Sequence, residues 1–284
     1  MTRDDAAALH PATRRVVAHR HGPGGPPCPV SQGTSDAAGH SETVAEETPV
    51  AITYNGHSFA VMMASPSDLT DFALGFSLSE GVVESAEEFL GVEVVPLKRG
   101  VELVVRIVES RALALRARHR ALAGRTGCGL CGVDSIAEAM RPIPRLTVET
   151  RISAAAIDRA VAAFPAEQPL NRRTGATHAA AFADLSGAIR LLREDVGRHN
   201  ALDKLIGGLA VGGIDPASGF IVVSSRCSYE MVHKTASAGA PLVTSVSAPT
   251  GLAVELAEKV GVALVAFARD GRFTVYAGCE RITE

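Results

Sequence analysis

Long apolar runs are missing from this 284-residue chain, although 46% of it is hydrophobic. A membrane-spanning helix needs about 20 consecutive apolar residues, so no span is expected and the hydrophobic residues should form core. The charged start of the chain is not followed by an apolar stretch, so no secretory signal is read there. Paired cysteines are scarce too. Five cysteines, an odd number, do not suggest a disulfide framework, and a reducing cytoplasmic setting is the expectation. An excess of either charge is also lacking, and a formal net charge of -3 gives no global reason to expect nucleic acid. What remains is a globular chain long enough for two domains.

Against that scarcity, two thiols stand together in Arg125-Thr-Gly-Cys-Gly-Leu-Cys-Gly132. Glycine before, between and after Cys128 and Cys131 frees the backbone and removes side chains that would bury sulfur. A zinc knuckle needs about four ligands, and Cys28, Cys227 and Cys279 are distant singletons. A thioredoxin-like dithiol should follow a strand and open a helix. Here residues 110–123 read as a basic helix and 133–140 as a second one, which places the pair on a helix-to-helix loop. A buried pair of small residues would not need three glycines. A mobile nucleophilic thiol that carries a cargo is the best local reading, and Arg125 would favour thiolate. Arg111, Arg116, Arg118, His119, Arg120 and Arg125 read equally as a solvated helix face or as a contact for an anionic ligand or acidic partner.

Residues 1–45 are rich in Pro, Gly, Ser and Ala without an apolar period, and read as a disordered extension in which His10, His19, His21 and His40 are a polar tail. Order is expected from about 46, with strands 46–54 and 58–63 joined at Asn55-Gly56, a hairpin signal. A helix opens after Ser65-Pro-Ser-Asp68 and runs to 78 with Gly81 beyond it. Strands 92–97 and 101–108 complete an α+β domain over 46–146 that ends in the cysteine loop. Pro142 and Pro144 mark the boundary.

From 147 to 284 the pattern changes to a helix 153–163, strands 178–183 and 188–192, helix 198–209, strand 219–223, helix 228–238, strand 242–245, helix 250–260, strand 263–268 and a closing strand 272–276. This alternation predicts a layered α/β sheet with a parallel portion, in the order of the cytidine deaminase fold. Zinc deaminases take their ligands from His-x-Glu and Pro-Cys-x-x-Cys. The equivalent places here hold Glu194-Asp-Val-Gly-Arg-His199 and Ser224-Ser-Arg-Cys-Ser-Tyr-Glu230, and one cysteine with one histidine cannot make that site. No zinc is expected. Instead, Arg198, Arg226, Ser224 and Ser228 at helix starts suit phosphate groups, and they follow strands at their carboxyl ends, where open α/β sheets bind ligands. His199 is the better site candidate, whereas His178, on an apolar strand, reads as structural.

With these residues in view, the chain resembles the formate dehydrogenase accessory sulfurtransferase family of the FdhD type. The resemblance covers nearly everything from Glu46 to Tyr276. It rests on Asn55-Gly56, Leu74-Gly75-Phe76 with Ser79-Glu80-Gly81, Cys128-Gly-Leu-Cys-Gly132, Thr177-His-Ala-Ala-Ala181, Glu194-Asp-Val-Gly-Arg-His-Asn-Ala-Leu-Asp-Lys204, Tyr229-Glu-Met-Val-His-Lys234 and Val246-Ser-Ala-Pro-Thr250. It implies a sulfur carrier that takes persulfide sulfur from a cysteine desulfurase and passes it to the molybdenum bis(molybdopterin guanine dinucleotide) cofactor before insertion into formate dehydrogenase. It implies Cys128 as the persulfide residue, Cys131 as its partner, and a cofactor-binding stretch at Phe267, Ala268, Arg269, Asp270, Gly271 and Arg272. A homodimer is expected with it. Ser225, Cys227 and Gly251 depart from the family pattern.

Overall fold

The computed structural model describes residues 10–18, 40–123 and 142–284. Strands β1 (Thr13–Ala18) and β2 (His40–Ala45) pair antiparallel, inside the segment expected to be disordered. Besides its own ladder and the neighbouring Glu46, the pair has ties to distant parts of the chain. His10 Nε2 meets the Leu97 carbonyl at 3.0 Å and Arg173 donates to the Thr13 hydroxyl at 3.0 Å. A local reading of an aperiodic stretch does not contain those partners.

The hairpin of β3 (Thr48–Tyr54) and β4 (His57–Ala64) turns where expected. Asn55 and Gly56 have φ of 45° and 81°, two successive positive values that match the right-handed twist of the strands. Helix α1 (Leu69–Ser79) follows, but Asp68 has φ 51° and gives no side-chain cap. Strands β5 (Phe89–Leu97) and β6 (Gly100–Ile107) and helix α2 (Glu109–Ala123) complete this unit. The four-stranded sheet has the order β4-β3-β6-β5, and only β3 and β6 run parallel. Val50, Ile52, Leu103 and Val105 point from its inner face onto Phe72, Ala73 and Phe76 of α1. Burying each such side chain stabilises by roughly 1.5–3 kcal/mol.

After the short β7 (Ile152–Ser153), the Ser153 hydroxyl caps α3 (Ala154–Ala163) by accepting from the Ala156 amide. Then come α4 (Pro169–Thr174), β8 (His178–Asp184), β9 (Ile189–Asp195), α5 (Arg198–Val211), β10 (Gly219–Val223), α6 (Tyr229–Ser237), β11 (Leu242–Ser245), α7 (Gly251–Val260), β12 (Ala263–Arg269), β13 (Arg272–Ala277) and β14 (Ile282–Thr283). Helix α4 and the parallel β7–β14 pair were not anticipated. The six-stranded sheet runs β13-β12-β11-β10-β8-β9, parallel across β10, β11 and β12. Alternation along β10 sends Phe220 and Val222 to the α3 face and Ile221 and Val223 to the face covered by α5, α6 and α7. This is the cytidine-deaminase-like three-layer α/β/α arrangement. Residues 142–146, read as the end of the first domain, pack on the second, with Ile143 and Leu146 against its core and the Leu146 amide on the Val260 carbonyl at 2.8 Å.

The two units meet where α1 crosses α5. A Cβ on Gly75 would lie 1.7 Å from the Asp203 carbonyl oxygen, and one on Gly207 would lie 1.8 Å from that of Asp71, so the helix backbones touch. Charges seal this seam. Lys204 is fully buried, with Nζ 2.6 Å from Asp195 and 2.9 Å from the Ser65 carbonyl. Lys234 donates to Asp203, Ser79 and Glu80, each at 2.9 Å. Burial works against the Lys234 charge, but Asp203 and Glu80 outweigh it and hold its pKa above the ordinary lysine value. Ser65, expected at the helix start, instead bonds Asp195 through its amide and Val196 through its hydroxyl.

Candidate functional site

Cys128 and Cys131 lie outside the described residues. The remaining candidates gather on one rim of the six-stranded sheet, because β8 and β13 begin where β9, β10, β11 and β12 end. Arg269-Asp-Gly-Arg272 is the two-residue turn between β12 and β13, with Arg269 opposite Arg272 and positive φ at Asp270 (53°) and Gly271 (69°). Just before it, Phe267 has φ 53° at a break in the strand register, and the residue is 41% exposed. A positive φ costs an aromatic residue energy. The strand order alone would not ask for it.

Two hollows flank this turn. One, of about 920 Å³, is lined by Ala154, Asp158, Phe267, Arg269–Arg272 and Thr274. The other, of about 510 Å³, lies between α3, α4 and the ends of the strands, and is lined by Asp158, Phe164, Gln168, Asn171, Ser224, Val246 and Ala268–Gly271. Ser224 and the whole 267–272 stretch are therefore brought together. Asp158, Gln168 and Asn171 were missed. Ala154, Asp158 and Ala162 recur at helical spacing, which gives a shared face of α3, but only the fold shows what that face looks onto.

Arg198, His199 and Arg226 line neither hollow. The helix-start residues Arg198 and His199 open α5 and Arg226 precedes α6, the helices that cover the other face of the sheet, so these residues are not gathered with Arg269 and Arg272 at the two hollows. Arg226 is exposed. His199 Nε2 lies 2.6 Å from Glu230, which holds that carboxyl below its ordinary range. Arg198 Nε and the Ser228 hydroxyl are buried with no hydrogen-bond partner among the described residues, so donors remain available there. His178 is half-buried; burial, then Arg198 and His199, lowers its pKa. At the places of the deaminase ligands, Glu194 is occupied by backbone amides, and Cys227 is buried with its thiol pushed up to about 12.

A model of the FdhD/NarQ family matches residues 45–283. The chain belongs to that family. Among FdhD/NarQ relatives, a sulfur carrier protein FdhD of Bordetella petrii is 50% identical over 253 residues, covering 89% of this chain and 91% of that protein. The protein of the same name from Xanthomonas euvesicatoria is 52% identical over 241 residues, 85% of this chain and 86% of its own. The crystal structure of a candidate formate dehydrogenase accessory protein from Desulfotalea psychrophila superposes with a TM-score of 0.72 at 25% identity, covering 96% of this chain and all of that one. The FdhD/NarQ match begins at residue 45, so most of the β1–β2 arm lies outside it. No described helix is long and apolar enough to cross a membrane.

Proposed function

We propose that this protein is a sulfur carrier in the maturation of a formate dehydrogenase. Its carrying group is Cys128, with Cys131 assisting transfer. A cysteine desulfurase donates the sulfur, and the molybdenum bis(molybdopterin guanine dinucleotide) cofactor is the acceptor. Relatives about half identical over most of the chain are named as sulfur carriers, and the chain's one close pair of cysteines lies in a glycine-framed Cys-x-x-Cys. That combination carries the reading. A cytoplasmic homodimer belongs to it.

Loading the carrier needs no net electrons. The Cys128 thiolate attacks the outer sulfur of the donor persulfide, the donor's S–S bond breaks, and the donor cysteine leaves as thiolate while Cys128 holds the persulfide. An anionic dinucleotide acceptor calls for cationic and amide donors outside the core. Arg269, which lines both hollows, and Arg272, which lines the larger one, support that half of the reading.

Mass spectrometry after incubation with a cysteine desulfurase and cysteine tests it. The Cys128 peptide should gain one sulfur that a reductant removes, and Cys128→Ser should abolish activation of formate dehydrogenase while leaving the fold intact. Client activity near wild type with Cys128→Ser would leave a cofactor-holding chaperone in its place. Insulin reduction with a defined two-electron potential would make the pair a dithiol oxidoreductase.

A further inference from the structure

The core of the first unit is left open at one edge. Ser58 and Ala60 of β4 pair with the adjacent Thr53 and Ile52 of β3, so Phe59 between them is the extra residue of a bulge. A bulge re-aims a side chain, and the Phe59 ring turns edge-on to Tyr54 and Phe76 at centroid distances of 5.2 and 6.0 Å. Helix α2 lays Ala112 and Leu115 over the same edge. Between them is a groove of about 410 Å³, with Tyr54, Phe59, Ala112 and Leu115 as its floor and His57, Ser58 and Arg116 at its lip. Arg116 gives one terminal nitrogen to Glu109 at 3.0 Å, while its Nε is buried without a hydrogen-bond partner among the described residues. Arg111, earlier on the same helix, is paired with Glu84 and Glu88.

The strand beside the groove is open as well. β4 is an edge of the four-stranded sheet, eight residues long, without proline, lysine, arginine or an acid, and with Val61 68% and Met63 45% exposed. Edge strands are ordinarily guarded by charge, proline or short length. Among the described residues, only β3 bonds its backbone before Met63, whose carbonyl accepts from Asn200 at 2.8 Å. A free strand edge beside an apolar groove suits an extended segment, which gains affinity from main-chain bonds and specificity from one seated side chain. Charge narrows the choice further. Residues 109–125 carry five arginines and a histidine against a single glutamate, and Cys128 follows Arg116 by twelve residues. A second copy, meeting this patch with its own, would set one arginine-rich helix against another. An acidic segment meets no such repulsion and brings a carboxylate to the Arg116 Nε.

We infer that this groove and the free edge of β4 dock the protein that supplies sulfur to Cys128, through an extended acidic segment of that donor bearing one large apolar side chain. The inference rests on the carrier reading above and adds to it the place where the donor holds on. That place belongs to the first unit and shares no residue with the hollows at the β12–β13 turn. Because α2 is the helix whose sequence continues to Cys128, a donor held on it meets the thiol within one complex.

Loading of Cys128, followed by mass spectrometry from two sources, tests the docking. One source is a cysteine desulfurase with cysteine; the other is inorganic polysulfide, which needs no docking. With the desulfurase below saturation, Arg116→Glu and Leu115→Glu should each slow loading about tenfold or more, and Arg116→Ala about threefold. Loading from polysulfide should keep the wild-type rate in all three. Leu113→Glu, which adds the same charge on an exposed face of the helix, should slow the desulfurase less than about twofold. Wild-type rates from the desulfurase in both glutamate variants overturn the inference and leave the carrier reading standing. Equal slowing from both sources also overturns it, since the fault then lies in the fold or the dithiol. A changed sedimentation mass in the same variants gives the groove to a second copy instead. Wild type loaded by polysulfide alone overturns the inference together with its donor, and wild type loaded by neither source takes the carrier reading with it.

Discussion

The seam between the two units and the rim of the large sheet are built partly from the same sequence motif, yet they treat charge in opposite ways. At the seam, Asp195, Asp203, Lys204 and Lys234 are buried and each finds a partner within 3 Å. At the rim, from the same Glu194–Lys204 stretch, Arg198 keeps a donor without a partner among the described residues and His199 is only partly covered. A buried charge is tolerated when its hydrogen bonds are complete, whereas an unused donor at a helix start is capacity for something else. Charged residues in a motif therefore do not all report on one site.

The largest effect should come from breaking the seam. Lys234→Ala leaves Asp203 buried without its cation and should cost about 3–5 kcal/mol, while a Lys234→Met, Asp203→Leu double variant should recover most of it. Chemical denaturation measures both, and a single variant as stable as wild type would remove the distinction between seam and rim. Next in size, Gly75→Ala or Gly207→Ala should cost at least about 1–3 kcal/mol, because the added carbon meets backbone that cannot move aside. A change in melting temperature too small to resolve would contradict the close approach of α1 and α5.

On the rim the expected stability change is under about 0.5 kcal/mol. Arg272→Ala should unfold with wild type and still bind guanosine diphosphate about ten to a hundredfold more weakly. Arg226→Ala, outside both hollows, should change neither quantity. Equal loss of binding in the two variants would mean that the ligand spans both faces of the rim.

The smallest effect belongs to Asp184 in the β8–β9 turn. Hydrogen bonds from Ser186, with Arg190 and the Ala188 amide, lower its pKa from 3.8 to about 2. A lowered carboxyl stabilises the fold above its unfolded value and loses that contribution as pH falls through the folded one. The window thus runs from about 4 down to about 2, and the effect is small because the group is only partly buried and solvent screens it. A side-chain titration by NMR with a midpoint near 3.8 would show that the turn does not hold the carboxylate.

Much of the fold was legible because its signals are local. Asn55-Gly56 named its turn, alternation and helical period named most elements to within a few residues, and the order of elements after residue 147 named the layered sheet. The β1–β2 pair was not legible, since its strands are about 20 residues apart with no periodic pattern between them, and two of its ties, to Arg173 and Leu97, come from far away in sequence. Of the residues that line the two hollows, Ser224 was read from a strand end and the 267–272 turn from the resemblance to the family. Asp158, Gln168 and Asn171 could not be found, as nothing in a helix face states which rim it meets.

By itself the sequence determined the glycine-framed dithiol, the family and the alternation of strands and helices, because these depend on residue type at short spacing. The tertiary structure alone decided how the motif was divided. Asp203 and Lys204 went to the seam, and Arg198 and His199 to the rim, because a helix sends successive residues in different directions and the surfaces they meet come from distant parts of the chain. The sequence marked Glu194 as part of a motif; only the fold put the amides of α4 within reach of its carboxylate.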